Sequence, residues 1–155
     1  MSFEKEDRIR EATRNEVGLF FRKASERDWN GIEPPFIDCG RLISCDGFLV
    51  AEHESEVIGA IATSSRGMDG SKLPTIANVY VLADFTRKGV GPRLLVAAME
   101  CLLSGIPKVF CKAITTGMVN TINKLASELK ERLEYEVDLC GVETWEMREF
   151  LKGED

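Results

Sequence analysis

Val81-Leu82-Ala83-Asp84-Phe85-Thr86-Arg87-Lys88-Gly89-Val90-Gly91-Pro92-Arg93-Leu94-Leu95 joins a strand to a helix. Ile76, Val79 and Val81 lead into it through apolar, β-branched surroundings, and a run of apolar residues and helix formers follows from Arg93 to Leu103. Between them lie two glycines and the basic side chains of Arg87, Lys88 and Arg93. Such a loop turns several backbone N–H groups toward one point before a helix N-terminus, where the positive end of the helix dipole also favours an anion. A phosphate fits that arrangement. The loop has neither the Lys-Ser or Lys-Thr pair of a P-loop nor the third glycine of a dinucleotide-binding turn.

Thr86-Arg87-Lys88-Gly89-Val90-Gly91 instead resembles the Q/R-x-x-G-x-G/A loop of the GNAT superfamily of acyl-CoA-dependent N-acyltransferases. Gly89 and Gly91 occupy the glycine places, and Thr86 stands where Arg or Gln is usual. A second stretch, Asn123-Lys124-Leu125-Ala126-Ser127-Glu128-Leu129-Lys130-Glu131-Arg132-Leu133-Glu134-Tyr135, is similar without a gap to the superfamily's N-x-x-A-x-x-L-Y-x-K-x-G-F helix. The interval between the two leaves room for one helix (about Pro92 to Ser104) and one strand (about Lys108 to Ile114), as the resemblance requires. Asp28-Trp29-Asn30-Gly31 and Gly47-Phe48-Leu49-Val50-Ala51-Glu52 are similar to segments of small bacterial-type members.

The 155 residues, 44% of them hydrophobic, suffice for one domain with a real core, so a single domain over 1–155 is expected. A net charge of −6 argues against nucleic acid or an anionic membrane as the main partner, while Arg87, Lys88 and Arg93 concentrate positive charge locally. The five cysteines (Cys39, Cys45, Cys101, Cys111 and Cys140) include no C-x-x-C pair and accompany one histidine, so neither a zinc site nor a disulfide frame is indicated. Cys101 and Cys111, in apolar runs, read as small core residues. The N-terminal residues carry no apolar stretch after a basic start and no run reaches membrane-spanning length, so a cytoplasmic protein is expected.

Along the chain, Asp7 to Ala12 reads as a strand. Thr13-Arg14-Asn15-Glu16 has the spacing of a reciprocal helix cap, and a helix to about Asp28 follows with Val17, Phe20, Phe21 and Ala24 on one stripe. Asn30 to Gly40, with Pro34-Pro35, and Ser65 to Pro74 read as loops. Gly47 to Glu52 and Glu56 to Ser64 form a hairpin around His53, an exposed turn residue, and Leu73 to Leu82 is the strand that carries the coenzyme loop. Lys108 to Ile114 is a further strand, Gly117 to Leu133 a helix with Ile122, Ala126, Leu129 and Leu133 as its stripe, and Asp138 to Phe150 closes the sheet. The expected fold is α/β (α+β): the acyl-CoA N-acyltransferase fold, with a mixed, mostly antiparallel sheet of six to seven strands and helices on both faces.

The resemblance implies acetyl-CoA as cosubstrate, no metal, and a primary amine of a small molecule, peptide or protein as acceptor. Coenzyme contacts would come from Thr86, Arg87, Lys88, Gly89, Val90, Gly91 and Arg93. Splayed central strands would offer free backbone groups of Val81 and Leu82 to the pantetheine arm and the thioester oxygen, with Asn123 reaching the arm from the later helix. Pro92 lacks an N–H and removes one donor from the cradle, which weakens coenzyme binding by about 1 kcal/mol. Catalytic groups depart from the superfamily pattern. Thr75-Ile76-Ala77-Asn78-Val79-Tyr80 carries no carboxylate, and Lys130 falls where a thiolate-protonating tyrosine is usual. Lys130 and Tyr80 are the two candidates for that acid; a solvated lysine and a packing tyrosine are the plainer readings. Asp84 either orients an amine or caps its turn. Cys111 has no base near it in sequence and reads as core rather than as a covalent relay. The loops at 29–40 and 65–74 would line the acceptor pocket, made acidic by Asp28, Glu33 and Asp38. Pairing of two copies through the final strand or the outer helix is common in such folds, so a homodimer is an expectation. The rival reading is a coenzyme-binding regulatory module that kept the fold without turnover.

Overall fold

Near-continuous apolar runs in 47–64 and 75–81 build three adjoining strands buried on both faces, because a period of two sends successive side chains to opposite faces. The computed structural model describes residues 7–31, 39–68, 70–86, 88–113 and 116–137. Its strands are β1 (Arg8–Glu11), β2 (Gly47–His53), β3 (Glu56–Ser64), β4 (Thr75–Val81), β5 (Val109–Ala113) and β6 (Leu133–Val137). They lie side by side in chain order. The first three pairings are antiparallel and the last two parallel. The closing strand expected within 138–150 falls outside the described residues.

Helices cover both faces. Helix α1 (Arg14–Trp29) starts at Thr13, whose side chain accepts from the Glu16 N–H while the Glu16 carboxylate accepts from the Thr13 N–H. It ends at Asn30, left-handed at φ 51°, and Gly31 N–H closes the end on Ser25 O at 2.8 Å. Its stripe of Val17, Phe20, Phe21 and Ala24 is buried, each large member contributing about 1.5–3 kcal/mol. Phe20 meets the Tyr80 ring, and Tyr80 lies beside Ala60, so Ala60 and its neighbour Val50 face α1. On the other face Gly59 lies against Leu94 and Val90 of α2 (Val90–Ala97), with Leu49 and Ile61 on that side. A widened helical segment, Ala98–Leu102, continues α2.

Two expectations about burial are corrected. The wider turn at 98–102 advances the buried stripe from Ala98 and Met99 to Leu103 and leaves Cys101 exposed rather than in the core. His53 is buried, 7% accessible, with Nδ1 2.9 Å from both carboxylate oxygens of Asp7. The actual turn residues are Glu54 and Ser55, at φ 51° and 67°. Such a two-residue turn matches the twist of the flanking strands.

The single helix expected over 117–133 is two: α3 (Thr116–Asn123) and α4 (Ser127–Arg132). Ala126 between them is extended, at ψ 148°. A straight helix over that span would run about 25 Å, whereas the five-residue strands β5 and β6 that it connects in parallel span about 17 Å. Breaking the helix shortens the crossover. It also lets Leu125 turn inward and puts Leu133 opposite Val109 as the first strand residue. Arg132 then donates to Met99 O, Leu103 O and Ile106 O, closing the carbonyl end of the α2 segment.

Candidate functional site

Strand β4 is bonded differently along its two edges. Toward β3 it pairs from Thr75↔Ser64 to Val81↔Gly59. Toward β5 the register holds only Thr75↔Phe110 and Ile76↔Cys111, while β5 stays with β6 along its whole length. The strands part at Ala77, where Ile76 faces Thr63 and Asn78 faces Ala62 so that Ala77 has no partner residue. An extra residue of this kind bends its strand and reverses which edge each later peptide faces. Arg41 Nη2 donates to Ala77 O at 3.2 Å and holds the bulge. Beyond it, Leu82 N–H donates back to Ile58 O at 2.8 Å. By alternation Val79 and Val81 turn their N–H and C=O groups to the opposite edge, into the gap beside β5.

The gap opens at the loop after β4. Gly89, at φ 83°, is the N-cap of α2, a conformation that costs a residue with a Cβ about 1–2 kcal/mol. The first N–H bonded within the helix is that of Arg93, to Gly89 O at 3.2 Å. Pro92 has none, and the N–H groups of Val90 and Gly91 precede that bond at the positive end of the dipole. A Cβ on Gly91 would meet only Val81 Cγ2 at 3.9 Å, and one on Gly89 would meet nothing within 4 Å. Packing within the protein therefore does not demand the small residue at 91. Space in front of the amides does fit a ligand that approaches the backbone closely.

The loop's root is fastened from several sides. Leu82 O accepts from Phe85 N–H, and Ala83 O accepts from Thr86 Oγ1 at 2.9 Å. Ala83 N–H donates to Asp28 Oδ2 at 2.9 Å, and the same oxygen accepts from Tyr80 Oη at 2.7 Å. Trp29 Nε1 donates to that phenol at 3.2 Å. Arg27 bridges Asp84 (3.1 Å) and Glu56 (2.8 Å), and Lys23 adds a second contact to Glu56 at 3.0 Å. Lys23 first, and then Arg27, hold the Glu56 carboxyl below the usual carboxylate range. The Phe85 ring lies 5.2 Å from that of His53.

Against the sequence expectations, Val81, Thr86, Lys88, Gly89, Val90, Gly91 and Arg93 surround one loop, with Lys88 half-buried and Arg93 exposed. Arg87 lies outside the described residues. Leu82 is a correction: its N–H and C=O are both bonded within the protein and its side chain is fully buried, so the free main-chain groups belong to Val79 and Val81. Thr86 uses its hydroxyl hydrogen on Ala83 O, a task that its replacement of Arg or Gln did not signal. Asn123 is exposed at the end of α3, and Lys130 is exposed on α4, without the burial that a proton-donor reading needs. Tyr80 points to the α1 face with its proton on Asp28. Asp84 pairs with Arg27 rather than capping the turn, and is three-quarters exposed. Arg41 and the bulge it holds were not legible, because no local pattern marks a guanidinium that reaches a carbonyl 36 residues away.

A cleft of about 510 Å³, lined in part by Arg14, Asp46, Ser64 and Arg66, lies at the other end of these strands, where β4 begins. It is not the gap described above. Among the described residues no three His, Cys, Asp or Glu side chains are grouped to hold a metal, and no described helix is long and apolar enough to cross a membrane.

Residues 44–137, from just before β2 to the end of β6, match the family model described as "Acetyltransferase (GNAT) domain". The chain belongs to the GNAT acetyltransferase family. The match spans the hairpin, the bulged strand, the loop and the broken crossover, while Asp28, Trp29 and Arg41, which hold the strand and loop, precede it. Three solved structures are similar to this GNAT chain. An aminoglycoside acetyltransferase from an uncultured soil metagenomic sample is 17% identical, with a TM-score of 0.48, over 70% of this chain and 80% of that one. A GNAT family acetyltransferase from Brucella melitensis in complex with acetyl-CoA is 18% identical, with a TM-score of 0.48, over 68% and 75%. N-acetylglutamate synthase from Neisseria gonorrhoeae, complexed with coenzyme A and N-acetyl-glutamate, is 18% identical, with a TM-score of 0.49, over 83% of this chain and 32% of that one. No match was found among curated proteins.

Proposed function

We propose that this GNAT protein transfers an acetyl group from acetyl-CoA to a primary amine of a small molecule or peptide, by direct attack in a ternary complex. One observation carries the reading: the peptide edge of Val79 and Val81 runs unpaired beside β5 and leads to the N–H groups of Val90 and Gly91. A diphosphate on those amides, with Lys88 and Arg93 nearby, lays the rest of an extended thioester carrier along the gap. Acetyl-CoA supplies a thioester, an acyl group activated toward an amine.

Residues of the chain then act through backbone. An N–H of the Val79–Val81 edge stabilises negative charge that develops on the thioester oxygen as the amine nitrogen bonds to the carbonyl carbon. The carbon–sulfur bond breaks, the sulfur leaves as thiolate, and the amine proton returns to it through solvent or a neighbouring side chain. β4 offers no carboxylate for this step, and the Tyr80 proton would first have to leave Asp28. Cys111 is 2% accessible, which supports core packing rather than a covalent acyl-enzyme.

Thiol release from acetyl-CoA across a panel of amines, with calorimetry for coenzyme A, tests this reading. Amine-dependent thiol release is expected. Binding without release on any amine would replace it with a coenzyme-binding module, a reading that Ala77 and the exposed Lys130 favour. No binding would overturn both.

A further inference from the structure

Asp28 lies in the last turn of α1, a helix capped at both termini and packed against β3, so its carboxylate is held by a rigid element. One oxygen, Oδ2, accepts from two places that the chain separates: Tyr80 Oη on β4 and Ala83 N–H at the root of the coenzyme loop. The second contact does not stop at Ala83. That residue's N–H is taken by Asp28 and its C=O by Thr86 Oγ1, so both peptide units that flank it are fixed from α1 to the first residue of the glycine motif. The first contact fixes Tyr80, whose neighbours Val79 and Val81 form the open edge.

We propose that Asp28 is a positioning residue for coenzyme binding: through the run Asp28, Ala83, Thr86 it sets the loop's amides and the Val79–Val81 edge in one mutual register. The proposal rests on the coenzyme-binding reading above. A main-chain cradle has no long side chains to adapt, so its affinity depends on how well its donors are placed before binding. The parallel tie from Arg27 to Asp84 is solvent-exposed and holds little, because water and salt screen it. Asp28 also lies one residue before Trp29, which bonds the same phenol, so the chain leaving α1 and the coenzyme loop share one anchor.

Coenzyme A titration calorimetry on the full chain, below the melting range of each variant, tests this. Asp28→Ala should raise the Kd about tenfold, the equivalent of one lost charge-assisted hydrogen bond. Asp28→Asn, which keeps an acceptor for Ala83 N–H, should raise it about threefold on the same scale; it decides the matter if the alanine variant does not fold. Tyr80→Phe should lower Tm while changing Kd less than Asp28→Asn does. Arg14→Ala, which removes bonds to Leu42 O and Cys45 O at the far end of the sheet, should lower Tm with Kd unchanged. Wild-type affinity in folded Asp28→Ala and Asp28→Asn, whatever their Tm, would reduce Asp28 to a structural tie and overturn the proposal. A wild-type chain that ignores coenzyme A would overturn the coenzyme reading and this proposal together, and that failure is recognised before any variant is compared.

Discussion

The two edges of β4 do opposite things with the same backbone. On the β3 side, hydrogen bonds and packed side chains make the strand part of the core, from Ile76 and Ile61 to Leu82. On the β5 side, pairing stops after Ile76, and the peptide groups that would have continued the ladder are the ones the proposed function assigns to the coenzyme. The lesson is that a single inserted residue, Ala77, stands where the paired edge ends: it bends the strand and sets which peptides after it face the open side.

If the paired edge carries stability and the open edge carries binding, mutations should separate the two. Ile61→Ala, in the fully buried β3 face beneath α2, should cost about 2–5 kcal/mol in urea denaturation, with coenzyme affinity of the folded fraction unchanged. Affinity lost in step with stability would mean that the edges are not independent. Gly91→Val is the converse. A Cβ at 91 meets only Val81 Cγ2 within the protein, so stability should move by about 1 kcal/mol while coenzyme binding falls about a hundredfold or more by calorimetry. An unchanged Kd would remove the loop from the site.

A third variant acts on the junction. Arg41→Met keeps the stem and removes the bond to Ala77 O, a loss of about 1–2 kcal/mol. Faster amide exchange at Val79 and Val81 should accompany it if the guanidinium holds the bulge; an unchanged exchange pattern would assign the bulge to the strand alone. Smaller still is the acid dependence of the sheet's far edge. Glu52 meets Arg10 at 2.6 Å and Arg8 at 3.1 Å, and Arg10 chiefly holds its carboxyl below the usual carboxylate range. A carboxyl so held stabilises the fold above its unfolded-state pKa, and that contribution is lost as pH falls through its lower folded-state value. Glu52→Gln should therefore narrow the difference in stability between pH 7 and pH 3, and an identical pH profile would show the pairs to be energetically silent. The smallest effect is expected from Asp84→Ala, within about 0.5 kcal/mol in thermal melts.

Most of the fold was readable from local pattern. The Thr13–Glu16 cap, the 17/20/21/24 stripe and the strand-loop-helix at 81–95 each state a rule that operates over a few residues, and each element, with the widened turn 98–102 counted into the second helix, appears within about two residues of its expected ends. The same local reading failed wherever a distant partner decided the outcome. His53 reads as a turn residue in the sequence because nothing nearby announces Asp7, 46 positions earlier. Leu82 was expected to be open until Ile58 claimed its N–H.

Residue order alone settled the family, the loop's glycines and the alternation of strands and helices, since propensity, period and capping act between neighbours in the chain. Tertiary packing settled the rest: where β4 leaves β5, which amides stay unpaired, and that Asp28 joins the strand to the loop. Those facts depend on groups far apart in sequence coming within about 3 Å, and such proximity exists only once the sheet has closed around its core.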